Sequence, residues 1–193
     1  MIGMKIGLYF GSFNPIHLGH TIIANHITEF LYIDHVWFVV SPQNPLKKKN
    51  LLDYEHRMRM VQMAIFGYEK MSVLDIEYGY SPSYTIHTLS NIEKKYPKNQ
   101  FFLILGQDSF SSLRKWKNYK IILNKYDILV YPRLGYFSDS VFKRKNIIFL
   151  KAPIIELSSS FIRDSIQKGK NMKPMLHPEV WNYMIKYKFY RKK

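Results

Sequence analysis

Gly11-Ser12-Phe13-Asn14-Pro15-Ile16-His17-Leu18-Gly19-His20 is the stretch from which the rest of this chain is read. The apolar run Lys5-Ile6-Gly7-Leu8-Tyr9-Phe10 stands directly before it, short and β-prone enough for a buried strand. Behind it, Ile22, Ile23, Ile27, Phe30 and Leu31 recur at helical spacing. The quoted residues are therefore a strand-to-helix turn. In an α/β unit such a turn lies at the carboxyl end of its strand, where the first N–H groups of the helix and its positive dipole end receive an anion.

Each residue type in the turn has a physical use. Gly11 and Gly19 let the backbone approach a ligand or a neighbouring element without a Cβ in the way, and Pro15 fixes one φ. His17 and His20 are three apart, so on a first helical turn both rings face one side, where imidazoles can donate hydrogen bonds to a charge-rich transition state. The same residues also suit ordinary helix surface. Neither Gly-x-x-x-x-Gly-Lys-Ser/Thr nor Gly-x-Gly-x-x-Gly is present. A zinc site is a poor reading, because the chain has no Cys and no third ligand at a familiar spacing.

A length of 193 residues with 47% apolar and 16% aromatic content suits one compact domain with a substantial core. The net charge of +15 favours anionic partners: nucleotides, pyrophosphate, nucleic acid or a membrane surface. Without Cys, a secretory segment or an apolar run of membrane-spanning length, the expected location is cytoplasmic.

Along the chain, further strands are predicted at Val36–Val40, Met71–Ile76, Phe101–Leu105, Tyr126–Tyr131 and Ile147–Leu150, alternating with helices. One helix follows Asp53 with Arg57 and Arg59 on its surface, one opens at Pro82-Ser83, one at Ser158 and a last one at His177-Pro178. The tail from Lys186 is expected to fray. Strand–helix alternation predicts an α/β fold, a Rossmann-like doubly wound parallel sheet in a single domain spanning 1–193, with a small helical C-terminal portion from about 158.

Several strand-end groups fit an anionic, sugar-bearing ligand. Lys47 or Lys48, in the basic loop after the second strand, either belongs to a solvated face or can reach a phosphate. Gly106-Gln107-Asp108 closes the clearest buried strand, with Asp108 suited to ribose hydroxyls or to capping the next helix. Trp116, between Lys115 and Lys117, suits the core or, flanked by two cations, a stacking platform for a ligand ring. Ser158, Ser159 and Ser160 with Arg163 at a helix start are equipped to hold polyphosphate, or to cap the helix.

The opening stretch resembles the Gly-x-Phe-Asp/Asn-Pro-x-His-x-Gly-His signature of the nucleotidylyltransferase superfamily, and Leu157-Ser158-Ser159-Ser160-Phe161-Ile162-Arg163 resembles its Ile-Ser-Ser-Thr-x-Ile-Arg element. Ser83-Tyr84-Thr85, Gly106-Gln107-Asp108-Ser109, Lys115-Trp116-Lys117-Asn118-Tyr119 and Val130-Tyr131-Pro132-Arg133 are similar in order and spacing to bacterial nicotinate-nucleotide adenylyltransferases, so the likeness covers nearly the whole chain. The resemblance implies transfer of AMP from ATP to nicotinate mononucleotide with release of pyrophosphate. It implies catalytic roles for His17, His20 and Arg163. ATP and phosphate binding would fall to Gly11, Ser12, Phe13, Lys48, Gly106, Asp108, Ser158, Ser159 and Ser160. Asn14, Tyr84, Thr85 and Trp116 would take the pyridine nucleotide. Mg²⁺ would arrive with ATP, with no metal held by protein ligands alone. Asn14 stands where many bacterial members have Asp, and Lys47-Lys48 where the family carries His-Lys. The expected partners are the two substrates, without obligatory nucleic acid or membrane, and a homo-oligomer is compatible with the sequence. Alternative readings are an enzyme using the amide, nicotinamide mononucleotide, or both acceptors; a phosphopantetheine adenylyltransferase; and a basic RNA-binding protein.

Overall fold

The computed structural model describes residues 3–42, 51–77, 83–136 and 144–191. Its strands are β1 (Lys5–Gly11), β2 (His35–Val40), β3 (Met71–Leu74), β4 (Gln100–Gly106), β5 (Asp127–Tyr131) and β6 (Ile147–Phe149). They pair in the order β3-β2-β1-β4-β5-β6, every pairing parallel. The helices are α1 (Leu18–Phe30), α2 (Tyr54–Ile65), α3 (Thr85–Lys95), α4 (Gln107–Ser111), α5 (Tyr119–Lys125), α6 (Ser159–Gln167) and α7 (Pro178–Lys186).

The two faces of the sheet follow from the period of two along each strand. Tyr9, Val36, Phe38, Val40, Ile104, Leu129 and Tyr131 pack with α1, α2, α6 and α7. Ile6, Leu8, Val39, Leu103, Leu105, Ile128 and Val130 pack with α3, α4 and α5. Both faces are covered, which is why β2 and β4 read as unbroken apolar runs. Full burial of a Leu or Ile side chain contributes roughly 1.5–3 kcal/mol, and Ile6, Leu8, Ile27 and Leu103 are all at 0% exposure. Helices turn to opposite faces after β1 and after β4, so these adjacent strands form the switch point where an open α/β sheet leaves a crevice. Among the described residues no helix is long and apolar enough to cross a membrane.

Four expectations change. The helix expected from Pro82-Ser83 begins at Thr85 with Tyr84 at its N-cap, Pro82 lying outside the described residues. The third strand stops at Leu74 instead of running to Ile76. Arg57, expected on the surface of its helix, is 1% exposed, because four main-chain carbonyls surround its guanidinium. The described residues after α7 do not fray: Phe189 packs against the core and Tyr190 reaches back to Asn14. Between Gln107 and Lys125 the chain forms α4, a 3₁₀ turn at Leu113–Lys115 and α5, pieces too short to leave a periodic signal.

Candidate active site

The loop after β1 is held from behind by its own carbonyl groups. Gly11 O accepts from Ser41 N–H at 2.9 Å, and Ser12 O from Arg57 Nη1 at 2.8 Å. Asn14 O accepts from Arg163 Nη1 at 2.8 Å, and Pro15 O from the Ser159 hydroxyl at 2.8 Å. Residues from β2, α2 and α6 thus fix one short loop. Phe13 is 2% exposed with φ of 44°, a left-handed conformation that costs a non-glycine residue on the order of 1 kcal/mol. Its ring is wedged edge-on against Tyr9 and His20, at 5.8 and 5.0 Å between centroids. Asn14 is 3% exposed, joined to Pro15 by a cis peptide. Its Oδ1 accepts from Leu52 N–H at 3.2 Å and from the Tyr190 hydroxyl at 2.7 Å.

The imidazoles do come together. The rings of His17 and His20 stack at 3.7 Å between centroids at the start of α1. His20 Nδ1 accepts from His17 N–H at 3.2 Å, which only an unprotonated Nδ1 can do, so neutral His20 carries its hydrogen on Nε2 and is a donor there. A Cβ on Gly19 would stand 3.0 Å from His17 Nδ1, so the glycine makes the room in which that ring is buried. Burial, with Arg133 nearby, pushes the His17 pKa down from 6.5 to about 3, which makes it a neutral imidazole at physiological pH. In the unfolded chain the ring binds a proton more readily. Neutral His17 therefore contributes stability that is complete above pH 6.5 and is lost as pH falls towards 3, at about 1.4 kcal/mol per pH unit. Urea unfolding at a series of pH values in that window is expected to give a shallower slope for His17→Gln than for the unsubstituted chain.

The second strand end supplies a charged wall. A small pocket between α1 and the sheet is lined by Tyr9, His17, His20, Tyr131, Arg133 and Ile155. Arg133, just past β5, donates from Nη1 to Leu157 O at 3.1 Å and Ile155 O at 3.3 Å, and its N–H donates to Gln107 Oε1 at 2.8 Å. Its Nε lies 3.8 Å from Asp108 Oδ1, and neither of these buried atoms has a hydrogen-bond partner among the described residues. Tyr9 and Tyr131 join their hydroxyls at 3.0 Å, reaching across β4. Gly106 makes this reach feasible: a Cβ there would meet Asp108 Oδ1 at 2.5 Å and the Tyr131 hydroxyl at 2.9 Å. Gly106→Ala is accordingly expected to destabilise the fold by about 1–3 kcal/mol, read by urea unfolding.

At the start of α6, Ser158 is the N-cap and accepts from Phe161 N–H at 3.2 Å, and the Ser160 hydroxyl accepts from Arg163 Nη2 at 3.2 Å. Arg163 and Ser159 thus touch the β1 loop directly, which the sequence pattern did not reveal. Tyr84 and Thr85 lie at the start of α3, where Lys117 Nζ stands 4.3 Å from the Tyr84 ring centroid. Trp116, next to Lys117, is packed against the core of that face. Glu77, buried, accepts from the Thr88 hydroxyl, and burial raises its pKa. Lys47 and Lys48 lie outside the described residues. Arg57 and Tyr190 were not identified as site residues from sequence, and Arg133 stood out only within the Val130–Arg133 resemblance, as the first cation past a buried strand.

Residues 8–165 match the cytidylyltransferase-like family model. A Flavobacterium johnsoniae protein named "Probable nicotinate-nucleotide adenylyltransferase" is 50% identical over 98% of this chain and 100% of its own length. A Bacteroides fragilis protein of the same name is 42% identical over 96% of this chain and 93% of its own. In fold, the chain is similar to Plasmodium falciparum nicotinic acid mononucleotide adenylyltransferase complexed with NaAD, at a TM-score of 0.85 and 23% identity over 97% of both chains. Identity of 50% sustained from end to end goes well beyond a shared architecture, and the chain belongs to the nicotinate-nucleotide adenylyltransferases, a family of cytidylyltransferase-like nucleotidyltransferases.

Proposed function

We propose that the chain transfers AMP from ATP to nicotinate mononucleotide, forming nicotinate adenine dinucleotide and releasing pyrophosphate. The observation that carries this reading is the convergence of the stacked His17–His20 pair, the clamped β1 loop and the α6 start, with Arg163 bonded to Asn14 O. The 5′-phosphate oxygen of the mononucleotide attacks the α-phosphorus of ATP in line, and the bond to the pyrophosphate oxygen breaks. No covalent enzyme intermediate is needed, so the protein's contribution is positioning and charge stabilisation. Neutral His20 donates from Nε2 to phosphate oxygens, and His17 supports its orientation by stacking. Backbone N–H groups at Ser12 and Phe13 meet the mononucleotide phosphate. Ser158, Ser159, Ser160 and Arg163 face the departing pyrophosphate. Gly106 and Asp108 receive the ATP ribose, and Arg133, beside Asp108, adds positive potential.

Mg²⁺ would enter with ATP and neutralise part of the triphosphate charge. Among the described residues no three His, Asp or Glu side chains stand close enough to hold a metal.

The acid is favoured over the amide as acceptor by the α3 start, where helix N–H groups near Thr85 and the Lys117 ammonium over Tyr84 attract a carboxylate, with Trp116 adjacent. The relatives' names favour the pyridine-nucleotide branch over a phosphopantetheine enzyme or an RNA-binding protein. Pyrophosphate release from ATP and Mg²⁺, measured with nicotinate mononucleotide and separately with its amide, tests the reading. Strong preference for the acid is expected. Equal rates would make the enzyme dual-specific, and no release with either would refute the proposal.

A further inference from the structure

We infer that Tyr190 is a positioning residue for nucleotidyl transfer, holding the β1 loop through the side chain of Asn14. This rests on the function proposed above. The inference begins with how the chain leaves α7. Lys188 N–H donates to Ile185 O at 3.1 Å and Phe189 N–H to Met184 O at 3.0 Å, the paired closure of a Schellman motif. The residue in the left-handed position is Lys188, with φ of 54°, where glycine is usual. Tyr190 is left-handed as well, at 61°. Two side-chain-bearing residues thus accept an unfavourable conformation so that the chain turns back over α2.

Two contacts hold that turn. Phe189 lies among aromatic rings, 4.8 Å from His56 and 5.5 Å from Tyr187 between centroids, and packs against the core. Phe189 therefore accounts for the docking of the segment by apolar burial alone. The Tyr190 hydroxyl is not needed for that. It donates to Asn14 Oδ1 at 2.7 Å, a bond spanning 176 positions, in surroundings dry enough to raise the phenol pKa through burial. Asn14 also receives Leu52 N–H on the same Oδ1 and Arg163 on its carbonyl. Three segments remote in sequence thus fix one residue of the loop that is to carry the reacting phosphates. A misplacement of about 1 Å in such a loop can cost 100-fold in rate, and one of three restraints accounts for part of that.

Tyr190→Phe keeps the aromatic body and removes only the hydroxyl. At 25 °C, below the unfolding transition, its kcat with ATP, Mg²⁺ and nicotinate mononucleotide is expected to fall about tenfold, with KM for either substrate changing less than about threefold. A hydroxyl that served stability alone would lower Tm and leave kcat unchanged. In an Asn14→Ala background the same substitution is expected to have no further effect on kcat. Multiplying losses would overturn the inference, and should Asn14→Ala fail to fold, the kcat of the single variant decides. Inactivity of the unsubstituted chain overturns the proposed function and this inference together, whereas unchanged kcat in Tyr190→Phe overturns the inference alone.

Discussion

His20→Ala is expected to lower kcat by about 100- to 1,000-fold, the usual cost of deleting one preorganised donor to developing charge. The fold is expected to survive. His20 is partly exposed, and its ring serves the backbone by accepting His17 N–H, a helix-start bond whose removal costs about 1 kcal/mol. For a domain of this size that corresponds to a Tm lower by roughly 2–4 °C. Steady-state pyrophosphate release and a thermal melt on the same preparation check both parts. A variant with unsubstituted turnover would remove His20 from the mechanism.

Arg57→Met is expected to be the most damaging change to stability, at about 3–5 kcal/mol. The guanidinium donates to Leu52 O at 2.8 Å, Ser12 O at 2.8 Å, Ser41 O at 2.7 Å and Pro42 O at 2.7 Å. These carbonyls belong to the ends of β1 and β2 and to the approach to α2, so a single planar fork joins three chain segments. Removing it strands part-buried acceptors, each costing up to about 1–3 kcal/mol when unpaired. Arg57→Lys offers a single ammonium in place of the fork and is expected to recover only part of the loss. Urea unfolding of the three proteins orders them Arg, Lys, Met. Equal stability of the methionine variant would mean that solvent reaches these carbonyls.

The fold was legible because its signals are local. Val36–Val40 and Phe101–Leu105 are apolar without interruption, as strands covered on both faces must be, and the helical stripes between them imply parallel crossovers. The pairing of His17 with His20 was legible from their spacing of three, although His17 stands at the N-cap of α1 in extended backbone, with His20 as the third helical residue, and not on the first turn itself. Arg57 was not, because the pattern of an amphipathic helix assigns a charged residue to water, and the carbonyls that bury this one come from segments 5 to 45 residues away. Tyr190 was hidden more thoroughly. A basic, aromatic tail reads as solvated, and only the three-dimensional return over α2 brings its hydroxyl to Asn14. Residue type marks Arg163 and Ser159 as candidate phosphate ligands, whereas their contacts to Asn14 O and Pro15 O depend on α6 being folded against the β1 loop.

The most direct test of adenylyl transfer follows the label of ATP carrying radioactive phosphorus at the α position, incubated with Mg²⁺ and nicotinate mononucleotide and resolved by chromatography. The label is expected to move into a dinucleotide that also contains nicotinate, with unlabelled pyrophosphate released in equal amount. Label remaining in ATP, or appearing in ADP or free AMP with no dinucleotide formed, would contradict the mechanism.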